Sequence, residues 1–389
     1  MMKIKLLRIT TVPVSLKTLL KGQHRFMNQY FEVIGVSSPG NDLNEVAINE
    51  GIRIVSLEMK RQVSLWNDFV SLIKMYRLIK NEKPQIIHTH TPKAGMLGMI
   101  AGWMAGVPIR LHTVAGLPLM ETRGFKRLVL DFVEKLTYSC ATMVYPNSFG
   151  LRDFILQQKF CSSDKLKVLG NGSSNGIDLN FFSPTEVSPE TKFSLKTKLN
   201  ISPTHFVFVF VGRLVRDKGL NELVSAFEKL EVNNKNLKLI LVGPFEENLD
   251  PLLPMTIKAI HENPNILPVG HQSDVRPWLA ISDALVFPSY REGFPNVVMQ
   301  AGAMGLPSIV TDINGCNEII IPGKNGEIIP PKNEKALYDK MSEWIENPEK
   351  VSLMAKNSMS LLETRYDQNV VWNALLIEYE RLLSLKFIS

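Results

Sequence analysis

Two doubly wound α/β domains, each a parallel sheet with helices on both faces, are what this sequence predicts, on three observations. Its 389 residues exceed what one ordinary core organises, which favours two domains of roughly 150–200 residues. Short β-rich runs alternate with longer amphipathic ones along nearly the whole chain, the arithmetic of βαβ units. That alternation breaks once, at GNGSSNGIDLNFFSP (170–184), a Gly-, Ser- and Asn-rich stretch with the composition of a linker or functional loop.

The first domain opens with KIKLLRIT (3–10). This start carries lysines and scattered apolar residues but no continuous apolar segment, so it reads as a strand and not as a signal peptide. FEVIGVSS (31–38) is the next strand. Between Val63 and Pro84, apolar residues at Leu65, Phe69, Leu72, Ile73, Tyr76 and Ile79 form a 3.6-residue stripe that stops before the proline, a helix. QIIHTHT (85–91) is a short strand, and AGMLGMIAGWMAG (94–106) a small-residue helix able to pack closely on a sheet. IRLHTV (109–114), FKRLVLDFVEKLTYSCA (125–141) and TMVYPNS (142–148) continue as strand, helix and strand.

After the break, FVFVFVG (206–212) is a nearly continuous apolar strand of the fully buried kind. NELVSAFEKL (221–230), LKLILVG (237–243), VRPWLAIS (275–282) and DALVFPS (283–289) alternate helix and strand, and VVMQAGAM (297–304), PSIVTD (307–312) and GEIIPP (326–331) follow. DQNVVWNALLIEYERLLS (367–384) is a long amphipathic helix suited to packing back on the first domain. The expected division is residues 1–178 with the C-terminal helix 367–389, and residues 179–366.

Composition narrows the function. A hydrophobic share of 45% with 21% charged residues is that of a soluble globular protein, and no apolar run approaches the roughly 18 residues of a membrane span. Cys140, Cys161 and Cys316 are scattered without a C-x-x-C pair, which argues against a disulfide framework or a zinc site and suits the cytoplasm. The net charge of +6 is uneven: residues 1–180 hold 23 Lys and Arg against 13 Asp and Glu, and the remainder 21 against 25. A basic first half points to an anionic surface or to phosphates, with ordinary solvated lysine as the plain alternative. No nucleic-acid motif accompanies it.

No G-x-G-x-x-G stands at a strand-to-helix turn. Neither a Walker-type phosphate loop nor an Asp-x-Asp spacing occurs. These gaps direct attention to a phosphate site made of side-chain cations and a helix N-terminus. In FVGRLVRDKG (210–219), Gly212 turns the chain after a strand, Arg213 follows at once, and Lys218 comes five residues later. A fork-shaped guanidinium and a point-charge ammonium together suit a diphosphate. A surface Arg–Lys pair beside a loop is the plainer reading of that segment alone. YREGFPNVVMQAGAM (290–304) supplies a second strand-to-helix turn. There Glu292 precedes a Gly-Phe-Pro-Asn turn, and Asn296 is of a residue type that caps helices. Such an N-terminus aims free N–H groups at an anion.

Taken together, VGRLVRDKG, SYREGFPNVVMQAGAMGLP and TDINGCNEII resemble the donor-site signatures of retaining glycosyltransferases of glycosyltransferase family 4, and QIIHTHTPKAG, RLHTVAGLP and NGIDLNFFSP resemble its first-domain and hinge landmarks. The resemblance covers essentially the whole chain and is closest to enzymes building bacterial surface polysaccharides on a lipid carrier. It implies the GT-B architecture, in which two Rossmann-like domains face a central cleft, and transfer from a nucleotide-diphosphate sugar (UDP before GDP) with no metal or other cofactor. By resemblance, Arg213 and Lys218 hold the diphosphate and Glu292 lies at the donor sugar. Gly212, Gly293, Phe294, Pro295, Asn296 and Val297 line the donor, and Gln300 meets the ribose. The family has Glu at position 300; Gln can still bond ribose hydroxyls. It often has His where this chain has Ala115, so His112 stands open between a structural strand residue and one reaching the cleft. Acceptor-side candidates are Ser15, Lys21, Gly22, Gln23, Lys93, His112, Thr113 and Gly116. The implied acceptor is an undecaprenyl-diphosphate-linked glycan of capsule, O-antigen or exopolysaccharide, met at the inner face of the plasma membrane through contact with anionic lipid. A GT-B epimerase or phosphorylase, or a nucleotide-sugar-binding protein without turnover, are the other readings the sequence admits.

Overall fold

The computed structural model of the chain describes residues 3–60, 64–117, 119, 122–246 and 250–387. It divides into two compact units, Met1–Gly176 with Gln368–Ser389, and Ile177–Asp367.

The first unit holds six strands: β1 (Lys5–Ile9), β2 (Glu32–Ser37), β3 (Arg53–Ser56), β4 (Ile86–Thr89), β5 (Ile109–Val114) and β6 (Met143–Pro146). All pair in parallel, in the order β3-β2-β1-β4-β5-β6. Its helices are α1 (Pro13–Leu19), α2 (Gln23–Asn28), α3 (Asp42–Glu50), α4 (Leu65–Glu82), α5 (Pro92–Met104), α6 (Gly124–Cys140) and α7 (Phe149–Gln157). Strand β3 escapes the sequence reading because it is short, at the sheet edge and only partly buried. Leu7, Ile9, Ile87 and Val144 face one core beneath α4, α5 and α6, whereas Leu6, Ile86, Leu111 and Tyr145 face a second. Helix α5 sits low on its side: a Cβ on Gly95 would lie 2.4 Å from the His112 ring, and one on Gly98 2.7 Å from Thr89.

The second unit repeats the plan. Strands β7 (Phe206–Val211), β8 (Leu237–Val242), β9 (Ile266–Gly270), β10 (Ala284–Phe287), β11 (Ser308–Thr311) and β12 (Gly326–Ile329) run parallel in the order β12-β11-β10-β7-β8-β9. Helices α8 (Pro189–Lys198), α9 (Leu220–Asn233), α10 (Pro254–Glu262), α11 (Arg276–Ala280), α12 (Asn296–Ala303), α13 (Cys316–Ile319), α14 (Glu334–Glu346) and α15 (Pro348–Tyr366) cover it. Phe208, Val209, Phe210, Leu239, Leu241 and Val286 are buried in one core, as a doubly covered parallel sheet requires.

The last helix, α16 (Gln368–Phe387), belongs to the first unit. Leu375, Leu376 and Tyr379 close its second core. The Tyr379 hydroxyl hydrogen-bonds His88 Nδ1 at 2.6 Å, and Tyr145 donates to Glu378 at 3.0 Å. Beneath α16, Arg8 is fully buried and donates to Gln23 Oε1.

Candidate active site

In an open parallel sheet, ligands gather beyond the strand carboxyl ends, at the point where successive crossovers leave in opposite directions. In the second unit that point lies between β7 and β10, since β8 and β9 extend one way and β11 and β12 the other. The loop after β7 carries Gly212, Arg213 and Lys218; the loop after β10 carries Glu292. The fold therefore brings together two segments about 75 residues apart, and their side chains meet: Lys218 Nζ donates to Glu292 Oε1, with both side chains largely buried.

A tight 3-10 turn, Arg216–Lys218, sets the lysine, and it ends on Gly219 at φ 72°. A Cβ at Gly219 would stand 2.2 Å from the Pro288 carbonyl oxygen, so only glycine fits between the two loops. Gly219→Ala should lower stability by about 2–3 kcal/mol and weaken the nucleotide binding that the sequence resemblance implies for this turn. Paired denaturant-unfolding and nucleotide titrations check this, and unchanged values for both would show that the turn can move freely.

Bonds across the two loops hold them in register. Tyr290 N–H donates to Asp217 O at 2.9 Å, the Arg291 guanidinium reaches Asp217 Oδ2 at 2.7 Å, and the Tyr290 hydroxyl donates to Glu222 at 2.6 Å. Ser289 Oγ donates to Glu292 Oε1 at 3.0 Å. From the loop after β11, Asn314 Nδ2 donates to Gly293 O at 2.5 Å, which fixes the backbone beside the acid. The sequence reading singled out none of Ser289, Tyr290, Arg291 and Asn314; their shared signal is a position just past a strand end. Arg213 stands apart, about half exposed, and binds Glu246 at 2.7 Å. Burial pushes the Cys316 thiol well above its usual range, with the Glu292 carboxylate adding to the rise and Lys218 opposing it.

The helix after Glu292 starts as expected, with one correction. Pro295 occupies the N-cap position and Asn296 is the first helical residue, so Asn296 makes no side-chain cap; proline's fixed φ leads into the helix and leaves the asparagine inside the first turn. Only the second half of the Glu292–Gln300 spacing is helical, and from Asn296 to Gln300 the rise is about 6 Å. Phe294 packs its ring 5.5 Å from that of Tyr366, while Val297 and Gln300 are partly buried.

The acceptor-side candidates scatter. Gln23 is fully buried, bonded to Arg8 and to Ser174 O at 3.1 Å. Gly22 donates its N–H to Glu50 at 2.8 Å. Lys93 forms an ion pair with Asp68 at 2.7 Å, both side chains about nine-tenths buried. His112 lies under α5 with Nδ1 2.7 Å from the Thr89 hydroxyl, and burial holds its pKa down to about 4. Thr113 bonds His88 Nε2 at 2.7 Å. Gln23, Lys93, His112 and Thr113 are thus committed to the unit's own interior. Ser15 is partly exposed, Lys21 exposed, and Gly116 faces open space. The switch point of this sheet, between β1 and β4, is marked instead by Thr11 and Thr91, whose hydroxyls lie 2.7 Å apart. Among the described residues no cluster of three or more His, Cys, Asp or Glu could hold a metal.

Comparison with known proteins converges on one family. The family described as Glycosyl transferase 4-like domain matches residues 31–172, and that described as Glycosyl transferases group 1 matches residues 191–360. The Staphylococcus aureus capsular polysaccharide biosynthesis glycosyltransferase CapM is 32% identical over 380 residues, covering 97% of each chain. An Escherichia coli UDP-Gal:alpha-D-GlcNAc-diphosphoundecaprenol alpha-1,3-galactosyltransferase is 31% identical over 327 residues, covering 80% of this chain and 82% of its own. Anabaena HepE, solved in complex with UDP, superposes with a TM-score of 0.81 at 20% identity, covering 98% of this chain and 100% of its own. With two doubly wound sheets, a Lys–Glu pair at the switch point of the second, and a relative matched from end to end, the chain belongs to the GT-B glycosyltransferases of family 4 and is a glycosyltransferase.

Proposed function

We propose that the enzyme transfers a hexose or N-acetylhexosamine from a UDP-sugar to a hydroxyl of an undecaprenyl-diphosphate-linked glycan, with retention of anomeric configuration and without a metal, in the synthesis of a bacterial surface polysaccharide. The second unit binds the donor and the first presents the acceptor. The Lys218–Glu292 pair carries this reading. Lys218, with Arg213 beside it in the chain, meets the diphosphate. Glu292, released from the lysine, bonds the donor sugar. The backbone of Gly293–Val297 offers N–H groups to phosphate and sugar oxygens, and Gln300 bonds the ribose. As the bond from the anomeric carbon to the diphosphate breaks, negative charge grows on the leaving group, where fixed cations lower the barrier most. The acceptor oxygen bonds the same face of that carbon, and its proton passes to a phosphate oxygen of the leaving group. The undecaprenol-linked acceptor rests on the E. coli relative, and UDP on that relative and the Anabaena complex.

A thermal-shift series with UDP, GDP and their sugars, with and without EDTA, tests the donor site. A ligand that binds the folded state raises Tm by mass action. A rise with UDP that EDTA leaves unchanged is expected. No rise with any nucleotide would remove Arg213, Lys218 and Glu292 as a donor site.

A further inference from the structure

We infer that Ser289 is a positioning residue for transfer: its hydroxyl keeps the Glu292 carboxylate turned toward the donor sugar once Lys218 has moved to the diphosphate. The inference rests on the donor site proposed above and assigns the group on which Glu292 depends within it.

Only residues 288–291 separate the end of β10 from Glu292. The backbone just beyond the acid is held by the loop after β11, through the bond from Asn314 Nδ2 to Gly293 O. With that backbone fixed, the torsions of the Glu292 side chain remain to be set. Among the described residues two groups set them, and both bind the same oxygen: Lys218 Nζ and Ser289 Oγ donate to Oε1. Oε2 is thereby left to face a ligand.

The two donors are not equivalent. Lys218 is a charge on a flexible four-carbon stem, free to swing from the acid to a phosphate. Ser289 cannot follow it. The serine is fully buried, its carbonyl oxygen accepts from the Thr311 hydroxyl on β11, and the next residue, Tyr290, donates its N–H to Asp217 O. Strand β11 and the loop after β7 thus pin it from two directions. Its hydroxyl has one proton and two acceptors at 3.0 Å, Arg291 O and Glu292 Oε1, with Asp217 O farther off at 3.5 Å. While Lys218 neutralises the carboxylate, the Arg291 carbonyl competes for that proton. Once the lysine leaves, the bare carboxylate is the stronger acceptor, and the proton goes to Oε1. The serine bond therefore tightens when the acid has to hold the sugar. A serine serving only its own turn would be satisfied by Arg291 O and would have no need to reach the carboxylate.

The test is a double-mutant cycle on the full-length enzyme, read as UDP release from whichever of UDP-galactose, UDP-glucose and their N-acetylamino counterparts the wild type turns over, and as binding of UDP alone. Ser289→Ala should lower kcat/KM for the UDP-sugar by about tenfold or more, the cost of losing a hydrogen bond to a charged group. Affinity for UDP, which has no sugar for Glu292 to hold, should stay within about twofold. Ser289→Cys, close in size and a weak S–H donor, should recover part of the loss. In a Glu292→Ala background the same serine substitution should cost about twofold at most, since the group it positions is gone. Wild-type kcat/KM in Ser289→Ala beside an impaired Glu292→Ala would overturn the inference and leave the transferase reading standing. An equal loss with and without Glu292, or equal losses of UDP and UDP-sugar binding, would overturn it too, because the serine would then be a structural part of its turn. Wild-type turnover by Glu292→Ala would remove the acid from the donor site, and the role of Ser289 with it.

Discussion

In Lys218→Ala, kcat falls by at least tenfold, and by about 10²–10³-fold if the ammonium meets the full charge developing on the departing diphosphate. The substitution also leaves the Glu292 carboxylate without its partner, and in the proposed site that unpaired charge, close to the donor, contributes repulsion to the loss. Lys218→Ala/Glu292→Gln separates the two effects: it should recover donor affinity and remain slow. Lys218→Arg is no conservative rescue, because a planar fork cannot reproduce a point charge held in the tight turn before Gly219. Wild-type turnover in Lys218→Ala would take the lysine out of the diphosphate site.

Between pH 7.5 and 5.5 the first unit loses stability, on the order of a few kcal/mol, and the second serves as the control. Burial holds His24, His88 and His90 well below the usual imidazole range, with the Arg8 charge adding to it, and holds His112 down to about 4. Above pH 6.5 each is neutral in both folded and unfolded chains and costs nothing. Below it the unfolded chain takes up protons that the folded one refuses. Stability therefore falls as the pH drops from about 6.5 towards 4. Glu134 works the other way. Burial raises its pKa to about 7, so it holds a proton in the fold that the unfolded chain gives up, and acidification through that range offsets about 2 kcal/mol. His205, His261 and His271 of the second unit are exposed or half-buried. Urea unfolding at the two pH values, followed by probes in each unit, reads the difference. Equal shifts in both units would contradict it.

Much of this was legible in the residues. Regular alternation of strands and helices gave both sheets, because a doubly covered parallel strand must be apolar on both faces, as FVFVFVG is. The reading missed β9 as well as β3: ILPVG contains Pro268, whose missing N–H an edge strand tolerates. The two loops that meet at the second sheet's switch point were legible because turn glycines and charged residues stand directly after strands. The acceptor side was not. Gln23, Lys93 and His112 look like surface polar groups in sequence, and their partners Arg8, Asp68 and Thr89 lie 15–25 residues away. Pattern shows that a residue is polar; it does not show which buried charge that residue must satisfy.

The place of α16 makes the first unit depend on residues translated after the second unit. The first unit is discontinuous, and its second core, with Leu6, Ile86 and Tyr145, is closed by Leu375, Leu376 and Tyr379, residues made only after the whole second unit has been translated. The first unit therefore cannot complete its core until α16 is available, and without α16 the buried Arg8 and His88 lack their partner Tyr379. A released chain truncated after Asp367 would carry a complete second unit beside an unfinished first one, and limited proteolysis of it should cut the first unit before the second.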